Sequence, residues 1–194
     1  MSNNTTNIAG VDEAGRGAWV EAVYAAAVIL PEKFNLVGLT DSKKLTAKKR
    51  EILFLEIQNQ ALDFCVATAS AAEIDELNIH QATLLAMKRA ILGLKKINPS
   101  KVLIDGKFVP EGLSIPATAI IGGDSLIPAI SAASILAKVS RDKKLLELDK
   151  KYPLYGFAKH KGYGTKAHLE AIQKYGVLDI HRKSYKPIQL AVKN

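Results

Sequence analysis

Asp12-Glu13, Asp105 and Asp124 are the side chains in this sequence whose types and placement point most directly to chemistry. Asp12-Glu13 and Asp105 end the short apolar runs Ile8 to Asp12 and Val102 to Asp105. Asp124 follows the run Thr118 to Ile121 across Gly122-Gly123. Short apolar runs closed by turn residues read as buried strands. Strands that stop together at one edge of a sheet would gather these acids, although they are far apart along the chain. Four carboxylates within a few ångströms of one another cannot all ionise without a cation, because their repulsion raises their pKa values. A divalent metal resolves that conflict, and an all-oxygen ligand set favours Mg²⁺ or Mn²⁺ over zinc. Two such ions ~4 Å apart would activate a water and stabilise the leaving oxygen of a phosphodiester. Any one of these acids alone is an ordinary solvated loop residue. Their joint placement carries the reading.

The elements that must position them follow from residue patterning. Gly15-Arg16-Gly17 forms a turn between the Ile8–Asp12 strand and a second strand over Val20–Leu30. Lys48 to Gln60 reads as a helix and Phe64 to Ala69 as a third strand. Ile74, Leu77, Leu84, Met87, Ile91 and Leu94 keep the three/four spacing of an amphipathic helix, which Asn98-Pro99-Ser100 ends. Ser125 is placed to cap the next helix, with Pro128 in its first turn. Ala129, Ala133 and Ala137 give that helix a small-residue face suited to close packing on a sheet. Thr165 to Tyr175 is a last helix, ended by Gly176. The fold class is α/β. A core over residues 1–137 is continued by a basic helical extension over 138–194, the two forming one integrated unit, with no internal repeat or low-complexity linker.

Composition narrows the classes further. At 194 residues with 48% hydrophobic and 24% charged side chains, the chain has ordinary globular usage, which excludes disordered and fibrous classes. Cys65 is the only cysteine, so there is neither an intramolecular disulfide framework nor a cysteine-based zinc cluster. No apolar run approaches the ~20 residues of a membrane span, and Met1 to Asn7 lacks a secretory apolar core. A cytoplasmic, monomeric protein with no membrane partner is expected. The net charge of +8 is unevenly spread: residues 138–194 hold 14 Lys/Arg against 5 Asp/Glu, whereas residues 1–137 hold 13 against 14. Tyr152, Tyr155, Tyr163, Tyr175 and Tyr185 are interleaved with that excess. Such a segment suits a polyanion, nucleic acid first, or else a solubilising surface. His160, His168 and His181 lie within it, where phosphate contact and plain solvation are both reasonable. Trp19 suits base stacking or packing, and Asp142 suits an ion pair within the basic helix.

Gly10-Val11-Asp12-Glu13-Ala14-Gly15-Arg16-Gly17 resembles the opening motif of bacterial ribonuclease HII, the type 2 ribonuclease H family. The resemblance continues through Asp41-Ser42-Lys43-Lys44-Leu45, Ile74-Asp75-Glu76-Leu77-Asn78-Ile79 and Leu103-Ile104-Asp105-Gly106. It also takes in Gly123-Asp124-Ser125, Ile130-Ser131-Ala132-Ala133-Ser134-Ile135, His160-Lys161-Gly162-Tyr163 and His181-Arg182-Lys183-Ser184, in order and spacing over residues 8–188. It implies an RNase H-like mixed five-stranded sheet flanked by helices, with a helical basic extension at the C-terminal end. It implies Mg²⁺- or Mn²⁺-dependent endonucleolytic cutting of the RNA strand in RNA–DNA hybrids and at single ribonucleotides embedded in duplex DNA, leaving 5′-phosphate and 3′-hydroxyl ends. Asp12, Glu13, Asp105 and Asp124 carry over as the catalytic and metal-binding acids. Gly15, Arg16 and Gly17 carry over as the loop at the RNA–DNA junction, with Tyr163 as its partner, and Lys43 and Lys44 as residues near the bound backbone.

One stretch departs from the family pattern. After Gly-Arg-Gly the family usually runs Pro, an apolar residue, a small residue and Gly; here the chain reads Ala18-Trp19-Val20-Glu21. The loss of proline frees the backbone behind the junction loop, and a carboxylate at position 21 could crowd or repel a phosphate. A non-catalytic binding module is the competing reading. It would gain nothing from four clustered carboxylates, which repel a nucleic-acid backbone unless metal is present.

Overall fold

Strand β1 (Ile8–Ala14) alternates its faces, with Ala9 and Val11 turned one way and Gly10 and Asp12 the other. The computed structural model describes residues 7–192. β2 (Val23–Ile29) pairs antiparallel with β1, and β3 (Asp63–Ala69) antiparallel with β2. β4 (Lys101–Asp105) runs parallel to β1, and β5 (Ala117–Ile120) parallel to β4. The resulting mixed five-stranded sheet has the order β3-β2-β1-β4-β5. It is the RNase H-like sheet flanked by helices that the sequence leads one to expect.

Small side chains let helices close on both faces. Ala25 and Ala27 of β2 join Ala9, Val11, Val102 and Ile104 beneath α2 (Ala71–Leu92), which supplies Ile74, Ala82, Ala86, Met87 and Ile91. On the other face Ala26 and Val28 meet Leu53, Phe54 and Ile57 of α1 (Ala47–Gln60) and the Ala132–Val139 stretch of α4 (Pro128–Lys151). α4 sits so close to β1 that a Cβ on Gly10 would lie 2.2 Å from the Ala129 carbonyl carbon. That close approach sets the side chains of α4 directly behind Asp12.

The extension has a core of its own. Leu145, Leu148, Tyr155, Phe157, Ala171, Ile172 and Ile188 pack around Val20. These residues come from α4, α5 (Phe157–His160), α6 (Lys166–Tyr175), α7 (Lys186–Val192) and the turn between α4 and α5. α4 runs without interruption through residues 137 and 138. Asp75 of α2 ties the extension to the sheet domain by accepting from the Lys183 and Ser184 backbone N–H groups and from the Ser184 hydroxyl.

Three elements differ from their sequence patterns. The second strand starts at Val23 rather than Val20, because Glu21 takes φ 69° and breaks the extended run. α2 is kinked at Asn78 (φ 70°), whose Oδ1 accepts the His80 and Gln81 N–H groups and so restarts the helix. Ser125 lies within a single helical turn, α3 (Gly123–Leu126), and Ile127 is the residue before α4, with Pro128 at its first position.

Candidate active site

Asp12 lies on β1, Asp105 ends parallel β4, and Asp124 lies in the turn α3 after β5. One carboxylate oxygen from each falls within 4.8 Å of the other two. Asp12 and Asp124 are buried, and Asp105 is half-buried. The Asp124 N–H points at Asp105 Oδ1 at 3.4 Å, and the Glu13 N–H donates to Asp12 Oδ1 at 2.7 Å. Glu13 stands at the rim of a cleft it shares with Asp105, Arg16, His80, Lys107 and Phe108, and its carboxylate is 3.6 Å from the Arg16 guanidinium.

The electrostatics are those of carboxylates short of positive charge. Burial, then Glu13 and Asp105, push Asp12 well above the usual carboxylate range. Burial raises Glu13, partly offset by Arg16. Burial, Asp105 and Asp41 raise Asp124, partly offset by Lys43. An all-carboxylate oxygen set under this strain fits a hard divalent cation such as Mg²⁺ or Mn²⁺. Asp41 neighbours Asp124 and uses its own Oδ1 to accept the Lys43 N–H, holding the Ser42–Lys44 turn.

That turn brings Lys43 and Lys44 to the acids. Lys43 Nζ is 3.7 Å from Asp124 Oδ2, and Lys44 Nζ reaches the Ser125 hydroxyl at 3.4 Å. Behind the acids, α4 supplies two serines to which the sequence reading gave no role. Ser131 donates to the Asp124 carbonyl at 2.6 Å, and Ser134, whose hydroxyl offsets part of the rise in the Asp12 pKa, lies 2.9 Å from the Ser42 hydroxyl. Two hydroxyls three residues apart on an otherwise apolar helix face were the available signal.

Gly15 is buried, while Arg16 and Gly17 are exposed beside the acids. The Tyr163 loop meets them: Ala18 and Tyr163 form an antiparallel bridge, and the Trp19 N–H donates to the Gly162 carbonyl at 2.8 Å. The structure therefore brings Gly15, Arg16, Gly17 and Tyr163 together. Arg182 holds this assembly from below. Its buried guanidinium donates to the carbonyls of Arg16, Glu21 and Ala22 at 2.8, 2.8 and 3.1 Å.

The departures from the family pattern are accommodated. The Ala18 N–H, which a proline would lack, closes a turn on the Gly15 carbonyl at 3.3 Å. Glu21 sits in the left-handed region where glycine is at ease, with its N–H bonded to the Ile180 carbonyl at 2.8 Å. A left-handed non-glycine residue costs about 1–2 kcal/mol. Glu21→Gly is therefore expected to stabilise the protein by about 1 kcal/mol, raising its melting temperature by roughly 2–4 °C. An unchanged or lowered melting temperature would show that the Glu21 side chain contributes more than its backbone costs.

The basic tail differs from its composition. Arg141 is fully buried rather than surface charge: it lies under Gly15, its guanidinium is 5.3 Å from the Tyr163 ring centroid, and burial lowers its pKa. Lys138 pairs with Asp142 at 2.8 Å, Lys144 pairs with Glu147 at 3.2 Å, and Lys143 lies over the Phe54 ring. Of the five interleaved tyrosines only Tyr163 and Tyr175 are exposed. Tyr155 stacks on Phe157, and Tyr185 hydrogen-bonds the Arg16 carbonyl. His168 and His181 are buried, so neither is solvated or free to reach a phosphate. Trp19 packs against Gly164 and His168.

Carboxylates gathered at the ends of neighbouring strands in a mixed sheet, backed by a basic helical extension, define an RNase H-like nuclease. The sequence matches the family described as Ribonuclease HII over residues 9–188. It is 60% identical over 187 residues to the ribonuclease HII of Dichelobacter nodosus, covering 96% of this chain and 98% of that one. It is 61% identical over 185 residues to that of Acinetobacter baylyi, covering 95% and 97%. The crystal structure of ribonuclease H2 from Pyrococcus horikoshii OT3 superposes with a TM-score of 0.81 at 27% identity, covering 96% of this chain and 97% of that one. The chain belongs to the ribonuclease HII family, and it is a ribonuclease H: a divalent-metal-dependent hydrolase of RNA–DNA hybrids.

Proposed function

We propose that this enzyme cuts at single ribonucleotides embedded in duplex DNA as well as in longer hybrids, leaving 5′-phosphate and 3′-hydroxyl ends, as a monomer in the cytoplasm. Asp12, Glu13, Asp105 and Asp124 would hold Mg²⁺ or Mn²⁺, which when bound neutralises the carboxylates and supplies electrophilic assistance to phosphodiester hydrolysis. Gly15-Arg16-Gly17 would read the ribose and its phosphate, since glycines let the main chain approach a sugar and a guanidinium can grip a phosphate. Tyr163 would lie against the next sugar. Residues 138–194 would act with the core as one unit, because Arg182 and the Tyr163 loop complete the junction site.

The observation that carries this reading is the seating of two loops from opposite ends of the chain beside one acid cluster, through the Ala18–Tyr163 bridge. The test is incubation with a duplex carrying one ribonucleotide, with a long RNA–DNA hybrid and with an all-DNA duplex, in Mg²⁺, Mn²⁺ or EDTA. Cutting of the first two substrates and not of the all-DNA duplex, only with metal, and with ligatable 5′-phosphate ends is expected. Failure to cut the embedded ribonucleotide while cutting a long hybrid would restrict the enzyme to hybrids.

Affinity for the backbone should come from the exposed lysines beside the acids, Lys43, whose side chain is 81% exposed although it faces Asp124, and Lys44. Each phosphate contact contributes roughly 0.9 to the slope of log K against log salt. Replacing Lys43 and Lys44 together by alanine should flatten that slope by about 2, whereas replacing Lys143 and Lys144 should leave it nearly unchanged. The reverse order would place the backbone along α4 instead.

A further inference from the structure

Three imidazoles stand behind the Tyr163 loop. His160 ends α5, His168 lies in the first turn of α6, and His181 precedes Arg182. His160 and His168 stack at 4.4 Å with 15° between ring planes, and His168 and His181 are both fully buried. Nothing in the hydrolytic chemistry uses them. Their hydrogen bonds nevertheless run in one direction and end on the residue proposed to sense the junction.

The direction can be read from either end. A carbonyl only accepts, so His168 Nδ1, 3.0 Å from the Tyr163 carbonyl, must carry a proton. Burial holds both His168 and His181 down at about 4, so each is neutral near pH 7 and carries one proton. His168 Nε2 is therefore bare and must receive from His181 Nε2, 3.2 Å away. That leaves His181 Nδ1 bare. The Leu178 N–H aims at it at 2.9 Å, as an acceptor requires. The Leu178 carbonyl also lies 3.2 Å from this nitrogen, but a nitrogen that receives an N–H cannot donate as well. His160 clamps the same loop: its Nε2 donates to the Tyr155 carbonyl at 2.8 Å, and its Nδ1 receives the Gly162 N–H at 3.2 Å. The loop needs such fixing, because Lys161 and Gly162 both take positive φ and Tyr163 is its exposed tip.

We infer that His168 and His181 are positioning residues, a fixed-tautomer hydrogen-bond relay that holds the Tyr163 peptide against the Gly15-Arg16-Gly17 loop and so sets the enzyme's discrimination at an RNA–DNA junction. The inference rests on the junction role proposed for Tyr163. His168 touches no substrate and acts only through the peptide it holds.

Nitrogen-resolved NMR of the intact protein at neutral pH should show His168 protonated at Nδ1 and His181 at Nε2. His168→Leu should cut a duplex with one embedded ribonucleotide about 10- to 100-fold more slowly, while losing much less on a uniform hybrid. His168→Asn, which keeps a donor near the Nδ1 position, should recover most of that loss. His168→Leu combined with Tyr163→Ala should be no worse than Tyr163→Ala alone, since both act on one feature. The opposite tautomer at His168, an unchanged substrate ratio in His168→Leu, or additive losses in the double variant would each overturn the relay. The NMR assignment stands even if His168→Leu does not fold. A neutral Tyr163→Ala would instead overturn the junction reading of Tyr163, with the tautomers left as predicted.

Discussion

Asp12→Asn is expected to slow hydrolysis by roughly 10³-fold, the rate equivalent of about 4 kcal/mol, while making the metal-free protein more stable. The two effects share a cause. Asp12 is buried at 4% exposure on β1, with Glu13 and Asp105 beside it, and its carboxyl is held well above the usual range by burial and then by those neighbours. A carboxyl whose folded-state pKa is raised binds its proton more tightly in the folded than in the unfolded chain. Stability therefore falls as pH rises from about 4 through the raised folded value, and the full penalty is present above it. Asparagine keeps the shape and the oxygen that accepts the Glu13 N–H, but removes the charge. In EDTA at pH 8 the variant should melt above wild type, and the gap should close as pH falls toward 4. Adding Mg²⁺ should reverse the order, because ligand binding to the folded state stabilises wild type and barely affects the variant. Calorimetry at two pH values, with and without metal, reads all of this. A variant that melts below wild type in EDTA at pH 8, or that turns over near the wild-type rate, would remove Asp12 from the metal site.

How much of this site could be read in advance depended on whether a residue's type matched its surroundings. The acids were legible because each follows an apolar run, and such runs are strands whose ends converge when the strands are neighbours. The sheet order is not available from periodicity, and the family resemblance implies only a mixed five-stranded sheet; the order β3-β2-β1-β4-β5 comes from the structure. The kink at Asn78 falls inside an apolar three/four pattern, which records the buried face and is blind to one left-handed residue. Glu21 hid the start of β2 in the same way. The tail departs furthest from what its composition implies. Arg141, Arg182, His168 and His181 are polar types that composition assigns to solvent, yet all four are fully buried. Arg182 can be buried because three backbone carbonyls receive its protons. The imidazoles can be buried because each nitrogen of the pair has a directed partner. The Arg182 network joins chain segments 160 residues apart, a distance no local pattern spans.

Tyr163→Ala is the second large effect expected, and it bears on specificity rather than chemistry. Tyr163 is 37% exposed at the tip of its loop, with the Arg141 guanidinium 5.3 Å and the Lys138 ammonium 5.9 Å from its ring centroid. A Cβ on Gly17 would lie 3.9 Å from the ring, so the ring and the junction loop form adjoining walls. The 2′-hydroxyl is the group that separates RNA from DNA, and it both donates and accepts hydrogen bonds. A wall of backbone groups at Gly15 and Gly17 suits a sugar that has one; a ring held flat against the next sugar suits one that does not. The cut would then fall on the 5′ side of the ribonucleotide at the RNA-to-DNA step. Removing the ring should lower cutting of a single embedded ribonucleotide by about 10²-fold, the scale of a substrate misplaced by an ångström. The Mg²⁺-dependent rise in melting temperature should persist, since no metal-binding acid has changed, and hybrid affinity should fall little. Tyr163→Phe separates the two parts of the side chain: near wild-type cutting would assign the effect to the ring, and a loss equal to that of alanine would assign it to the phenol oxygen. The measurement is the ratio of rates on an embedded ribonucleotide and on a uniform hybrid. If Tyr163→Ala leaves that ratio where wild type has it, the ring is an ordinary loop aromatic and the junction is read by Gly15-Arg16-Gly17 alone.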